Sequence, residues 1–188
     1  MIKNPWTDKC YKNFEQEKEV YSKYDRVIAV SKSVKEAFEK KFELPAQVVY
    51  NALDEKEIER KTLLFEGNPK SEEITRLISI GRLEKVKGFE RLIEAFAELI
   101  KETPNVELYL VGDGSERSGL ERLIVEKKVG DKVKLLGFKS NPYPYLKSSD
   151  VFVCSSYAEG FSTVVTEALI LGIPTVTTEC AGDERTAW

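Results

Sequence analysis

After residue 70 the apolar positions follow two alternating patterns. Four short runs, residues 76–80 (RLISI), 106–111 (VELYLV), 151–154 (VFVC) and 174–178 (PTVTT), have strand length, and a weaker one, 133–136 (VKLL), lies between the second and third. Glycine or polar residues follow each run. Between the runs, Phe89, Leu92, Ile93, Phe96, Ala97 and Ile100 recur at helical spacing. Leu120, Leu123 and Ile124 mark one face of a second helix over residues 115–128, and residues 141–148 form a short third. A fourth, residues 162–171, is stopped by Gly172 and Pro174. Strand and helix in alternation predict an α/β domain with a doubly wound parallel sheet. Ligands of such sheets bind beyond the carboxyl ends of the strands, so the residues just after each strand carry the interest.

The preceding stretch reads differently. Residues 9–24 predict a charged helix with Tyr, Phe and Val on one side, and residues 25–30 (DRVIAV) and 46–50 (AQVVY) predict strands. Ser31 caps a helix between those strands, residues 51–54 form a turn, and the mostly polar residues 55–73 read as a linker. Two strands and two helices are too few for an independent domain. Their uncovered edges and apolar faces predict self-association or disorder of residues 1–60.

Composition narrows the chemistry. The 188 residues are 41% hydrophobic and 32% charged, a globular balance. The net charge is −3, from 29 Lys+Arg against 32 Asp+Glu, without the basic bias of a nucleic-acid binder. The chain contains no histidine, which removes an imidazole base, a histidine zinc ligand and a Ser-His-Asp triad. Cys10, Cys154 and Cys180 form no CxxC pair and indicate neither a disulfide framework nor a thiolate metal site. The start is too polar for a signal peptide, and no apolar run approaches the ~18 residues of a membrane span. The expectation is a soluble, cytoplasmic protein.

Three segments carry candidate chemistry. Gly81, Arg82 and Lys87 sit between the RLISI strand and the next helix, where an arginine fork, a lysine charge and free helix amides suit a diphosphate. The ordinary alternative is a solvated loop with Arg82 paired to Glu84. Glu159, Gly160, Phe161, Ser162, Thr163, Val164 and Glu167 surround the start of the fourth helix. A carboxylate there accepts hydrogen bonds from a diol such as a ribose, and the alternative is a capped helix with acidic residues at its positive end. Gly112-Asp113-Gly114 lacks the third glycine of a dinucleotide fingerprint, with Arg117 in its place, and reads as a tight turn under a ligand. Gly137 and Phe138 close the next strand, where the ring either faces a nucleobase or is buried.

In this order the motifs Gly81-Arg82-Leu83-x-x-x-Lys87-Gly88, Gly112-Asp113-Gly114, Ser155/Ser156 before Glu159-Gly160-Phe161, and Glu159-x7-Glu167 with Ala168-Leu169-x-x-Gly172-x-Pro174 resemble the donor-binding half of retaining GT-B glycosyltransferases of family 4. The resemblance covers about residues 25–182. It implies a Rossmann-like donor domain, incomplete at both ends. Residues 1–60 would be a remnant of the amino-terminal domain and interdomain segment, 61–73 a linker, and 74–188 the truncated nucleotide-sugar-binding domain. It also implies residue roles. Arg82 and Lys87 would hold the diphosphate, with amides at Ser162–Val164 completing that site. Glu167 would take the ribose, Glu159 and the Gly160–Phe161 backbone the sugar hydroxyls, and the main chain near Gly137 and Phe138 the base. The activity implied is metal-independent retaining hexosyl transfer from a nucleotide sugar, by default a UDP-sugar, without further cofactor. The acceptor would be a glycan or lipid-linked molecule bound through the missing domain, in surface polysaccharide synthesis. The full-length enzyme would associate peripherally with the inner face of the membrane, and this chain alone would be inactive. Other readings are a nucleotide-sugar-binding subunit that needs a separate acceptor-domain chain, and a GT-B-type sugar-nucleotide epimerase. A flavodoxin-like regulatory domain would need acidic residues where Gly81 and Arg82 stand.

Overall fold

The structure, a computed structural model, describes residues 14–64 and 73–180. The chain divides into two compact units. Described residues 14–52, 158–162 and Cys180 belong to the first, and residues 53–64, 73–157 and 163–179 to the second.

In the first unit, α1 (Phe14–Ser22) and α2 (Lys32–Phe42) accompany two short strands, β1 (Ile28–Ala29) and β2 (Gln47–Val48). The strands pair in parallel over only two residues each, shorter than the apolar runs that predicted them. Aromatic packing joins the helices: Phe14 stacks on Phe42 at 5.7 Å, and Tyr21 meets Phe38 edge-on at 5.0 Å. Ser31 caps α2 by accepting from the Val34 amide at 3.3 Å, as its position before the helix predicts. Residues 9–13 of the expected first helix lie outside the described residues.

The second unit holds β3 (Thr75–Ile80), β4 (Val106–Val111), β5 (Val133–Gly137), β6 (Val151–Cys154) and β7 (Thr175–Thr177). They form one sheet in the order β5-β4-β3-β6-β7, and every ladder is parallel. The helices are α3 (Glu55–Thr62), α4 (Phe89–Glu102), α5 (Arg117–Glu126), α6 (Tyr143–Lys147) and α7 (Thr163–Ile170). Strand β4 shows why its sequence is almost wholly apolar. Leu108 and Leu110 join the core beneath α4 and α5, while Tyr109 and Val111 join the core beneath α3, α6 and α7. Both faces are covered, as the alternating pattern predicts.

Residues 55–62, read above as polar linker, instead form α3. Asp54 accepts from the Glu57 amide at 3.0 Å, and Glu57 pairs with Arg60 at 2.7 Å and with Lys61 at 3.4 Å. Ile58, 4% exposed, is its one buried residue. A helix carried by a cap, ion pairs and one apolar anchor has no hydrophobic period to read.

Candidate functional site

The order of strands reverses at β3. The chain builds outward to β4 and β5 on one side, then returns to place β6 and β7 on the other. The carboxyl ends of β3 and β6 therefore flank the switch point at which doubly wound sheets take ligands. Residues 81–88 follow β3 there, and residues 155–157 follow β6.

The loop after β3 rests on the Gly112-Asp113-Gly114 turn. The Gly81 amide donates to the Val111 carbonyl at 3.0 Å, and the Leu83 amide donates to the Asp113 carbonyl at 2.9 Å. Gly112 has φ +141, and a Cβ there would stand 1.8 Å from the Gly81 carbonyl oxygen. A Cβ at Gly114 would stand 2.5 Å from that of Leu83. Both glycines are required by backbone lying on backbone. Leu83, fully buried, anchors the loop in the core below.

The same loop is bound to the end of β6. Ser155 Oγ donates to the Lys87 carbonyl at 3.0 Å, and the Tyr157 amide donates to the Val86 carbonyl at 2.8 Å. Arg91, in the first turn of α4, ties the junction together. Its Nε donates to the Ser155 carbonyl at 2.6 Å, and its Nη2 donates to the Ser156 carbonyl and, at 3.0 Å, to Thr178 Oγ1. The guanidinium lies 4.0 Å from the centre of the Tyr157 ring. Gly88 adopts the left-handed conformation, φ +61, as α4 begins. Nothing in the local pattern around Arg91 marks it, because its position on the polar side of an amphipathic helix matches that of any solvated charge.

Three cations stand on this loop, Arg82, Lys85 and Lys87, and the first and last are the expected diphosphate ligands. Arg82 has a side chain 74% exposed and pairs with Glu84 at 2.8 Å. This is the ion pair that the ordinary reading of the loop anticipates, and it presents the guanidinium at the surface above the switch point. The stem of Lys87 lies against Gly81, whose Cβ would meet Lys87 Cδ and Cε at 3.7 Å. Across the sheet, the Gly137 carbonyl accepts from the Gly112 amide at 2.9 Å, so the end of β5 joins the same rim. Phe138 is 74% exposed and is not the buried aromatic that often ends a strand.

Glu167, on α7, is half-buried. One of its oxygens, Oε1, accepts from the Tyr143 hydroxyl at 3.1 Å. Burial pushes the Glu167 carboxyl above the usual range, against the pull of the Tyr143 hydrogen bond and the Lys61 charge. Tyr143 is pushed up to about 12, first by burial and then by the neighbouring Glu167 charge. Asn141 Nδ2 donates to the Lys61 carbonyl at 2.9 Å, linking this group to the end of α3. Thr163 opens α7, and Val164 is partly buried against the core beneath it.

The profile of the family described as Glycosyl transferases group 1 matches residues 60–186, more than half of the chain. The chain belongs to this family. An N-acetylgalactosaminyltransferase of Campylobacter jejuni that acts on a diphospho-undecaprenol-linked sugar is 33% identical over 85% of the chain and 43% of its own length. The lipopolysaccharide core glycosyltransferase LpsE of Rhizobium meliloti is 39% identical over 57% of the chain and 31% of its own length. Among solved structures, HepE of Anabaena in complex with UDP and glucose superposes with TM-score 0.74 at 25% identity, covering 90% of the chain and 48% of HepE. The chain thus spans less than half the length of each. The second unit has the Rossmann-like α/β fold of GT-B glycosyltransferases.

Within this group 1 chain the expected site residues fall in different units. Gly81, Arg82, Lys87, Gly112, Gly137, Phe138, Thr163, Val164 and Glu167 lie in the second unit. Glu159, Gly160, Phe161 and Ser162 belong to the first, where a Cβ on Gly160 would meet the Val30 and Val34 methyls at an ordinary 3.5 Å. Sequence reasoning missed Arg91, Thr178, Tyr143 and Lys61. Among the described residues no group of three or more Cys, Asp or Glu is placed to hold a metal ion, and no helix is long and apolar enough to cross a membrane.

The raised pKa of Glu167 makes stability depend on pH. In the folded state its proton leaves at a higher pH than in the unfolded chain, so its ionisation opposes folding. The folded state is favoured below the unfolded value and loses that advantage as pH rises through the folded one. Glu167→Gln is therefore expected to be more stable than the parent near pH 7 and equal to it near pH 3. Urea unfolding at the two pH values measures this, and an equal difference at both would refute it.

Proposed function

We propose that the second unit binds the nucleoside diphosphate of a sugar donor, a UDP-sugar by default. The observation that carries this reading is the loop Gly81–Gly88, held at the switch point by the Gly112-Asp113-Gly114 turn and by Arg91, with Arg82 and Lys87 on it. A diphosphate needs two or more positive groups on backbone that does not yield, and this loop supplies both. Family membership and the UDP held by HepE support the choice of nucleotide. In this reading Arg82 and Lys87 take the diphosphate, joined by amides of Ser162–Val164. Glu167 takes the ribose diol, and the Gly137–Phe138 main chain takes the base. Glu159 with the Gly160–Phe161 backbone takes the hydroxyls of the sugar.

The reaction we infer is hexosyl transfer with retention and without a metal ion. Negative charge grows on the departing diphosphate, and Arg82, Lys87 and the amides of α7's first turn stabilise it as it grows. We assign acceptor binding, of a glycan or lipid-linked molecule in surface polysaccharide assembly, to chain beyond the donor unit. The relatives in lipopolysaccharide and lipid-linked glycan synthesis support that class. We place the process in the cytoplasm, at the membrane's inner face, and expect this chain to bind donor without turning it over.

Calorimetric titration with UDP tests the reading. Arg82→Ala and Lys87→Ala are each expected to weaken UDP about tenfold or more, the worth of one charge-assisted contact to phosphate. The Arg82–Glu84 pair is exposed and contributes only ~0–1 kcal/mol to the fold, so Arg82→Ala stays folded and its loss of binding is local. Millimolar UDP and GDP that both leave the parent chain unmoved would end the assignment.

A further inference from the structure

We propose that Tyr143 is a positioning residue for Glu167: its hydroxyl occupies Oε1 of the carboxylate and turns Oε2 toward the ribose diol. This rests on the reading above that Glu167 binds the ribose. The contact is a 3.1 Å hydrogen bond between the first residue of α6 and the fifth of α7. Glutamate's last torsion is broad, so without a fixed partner its two oxygens exchange freely. An ionised carboxylate is purely an acceptor with about four lone-pair sites, and the phenol fills one of them.

The phenol is itself held. Pro142 and Pro144 flank Tyr143, and their rings restrict φ on both sides of it. The Tyr143 amide donates to Asn141 Oδ1 at 3.4 Å, and the Asn141 side-chain amide donates to the Lys61 carbonyl at the end of α3. Lys61 Nζ stands 5.9 Å from the centre of the Tyr143 ring. The end of α3 and the start of α6 thus hold the phenol beside a carboxylate oxygen of α7. With its pKa near 12 the phenol keeps its proton at every physiological pH, so it acts as a donor throughout. Tyr143 neither touches the reacting atoms nor adds charge. It decides where the acceptor of the ribose hydroxyls points.

The test compares UDP with 2′,3′-dideoxy-UDP, which lacks the diol. Calorimetry is performed on the whole chain, on Tyr143→Phe and on Glu167→Gln. Tyr143→Phe is expected to weaken UDP about fivefold, the worth of one hydrogen bond, and to leave the dideoxy nucleotide unchanged. Glu167→Gln is expected to erase most of the difference between the two nucleotides. Unchanged dideoxy binding also certifies that the phenylalanine variant is folded. If Glu167→Gln removes the discrimination while Tyr143→Phe preserves UDP affinity, the positioning role is refuted and the ribose assignment stands. Equal weakening of both nucleotides by Tyr143→Phe likewise refutes it, because a merely structural loss ignores the diol. If the parent chain binds both nucleotides equally, Glu167 does not read the ribose, and the proposal fails together with the reading beneath it.

Discussion

Gly112→Ala is expected to destabilise the second unit by ~4 kcal/mol, a large share of the ~5–15 kcal/mol net stability usual for a folded protein. Two costs combine. Gly112 has φ +141, a backbone state that costs an L-residue roughly 1–3 kcal/mol. The new methyl would also lie 1.8 Å from the Gly81 carbonyl oxygen, so one of two hydrogen-bonded loops must move, for a further ~1–3 kcal/mol. The Gly112 amide donates to Gly137 and the Gly81 amide donates to Val111, so movement breaks ladder-like bonds at the sheet's rim. Gly119→Ala provides the contrast. That residue lies within α5 with nothing within 4 Å of a Cβ. There alanine is expected to stabilise by ~1 kcal/mol through helix propensity. Urea unfolding of the two variants gives shifts of opposite sign. A Gly112→Ala chain within ~1 kcal/mol of the parent would show that the turn does not support the loop as described.

Such a loss would reach the proposed donor site without touching a ligand. Arg82 and Lys87 depend on backbone that rests on Gly112 and Gly114. The chain also carries Glu167 half-buried although its ionisation opposes folding. In the proposed reading, Glu167 is therefore where stability and donor binding would pull in opposite directions.

The elements legible in the sequence are those whose burial is periodic. Strands β4 and β6 coincide with the runs 106–111 and 151–154, because strands covered on both faces are continuous apolar runs. Helix α4 begins at Phe89, the first residue of its pattern, because Gly88 terminates what precedes it. The glycines of the candidate site were also visible, but not for the reason found. Gly112 reads as a turn beneath a ligand, and in the structure it lies beneath the Gly81–Leu83 backbone. Helix α3 was illegible because its stability comes from a cap and ion pairs around a single Ile58. Tyr143 and Arg91 were illegible for another reason. Their partners lie 24 residues away for Tyr143 and 64 to 87 residues away for Arg91, and no local spacing encodes such pairings.

Arg91→Leu is the substitution in which that non-local pairing is expected to show most clearly. Leucine keeps much of the volume and removes every donor. The carbonyls of Ser155 and Ser156 belong to residues only 5% and 3% exposed, so water does not readily replace the guanidinium. The Ser156 carbonyl keeps a donor in Thr178 Oγ1 at 2.7 Å, so the larger share of the loss falls on Ser155. A charged hydrogen bond contributes ~1.5–3 kcal/mol and an orphaned buried acceptor costs ~1–3 kcal/mol, so the expected destabilisation is ~3 kcal/mol. Arg91→Lys is expected to recover at most about half of it, because one ammonium cannot reproduce a planar fork that reaches two carbonyls and a hydroxyl. Urea midpoints at constant slope measure both. UDP titration at low denaturant then asks whether the β3 and β6 loops still meet. A folded Arg91→Leu chain is expected to bind UDP more weakly than the parent although Arg91 contacts no part of the donor in the proposed arrangement. A lysine variant as stable as the parent would mean that charge alone, rather than the fork, holds the switch point together.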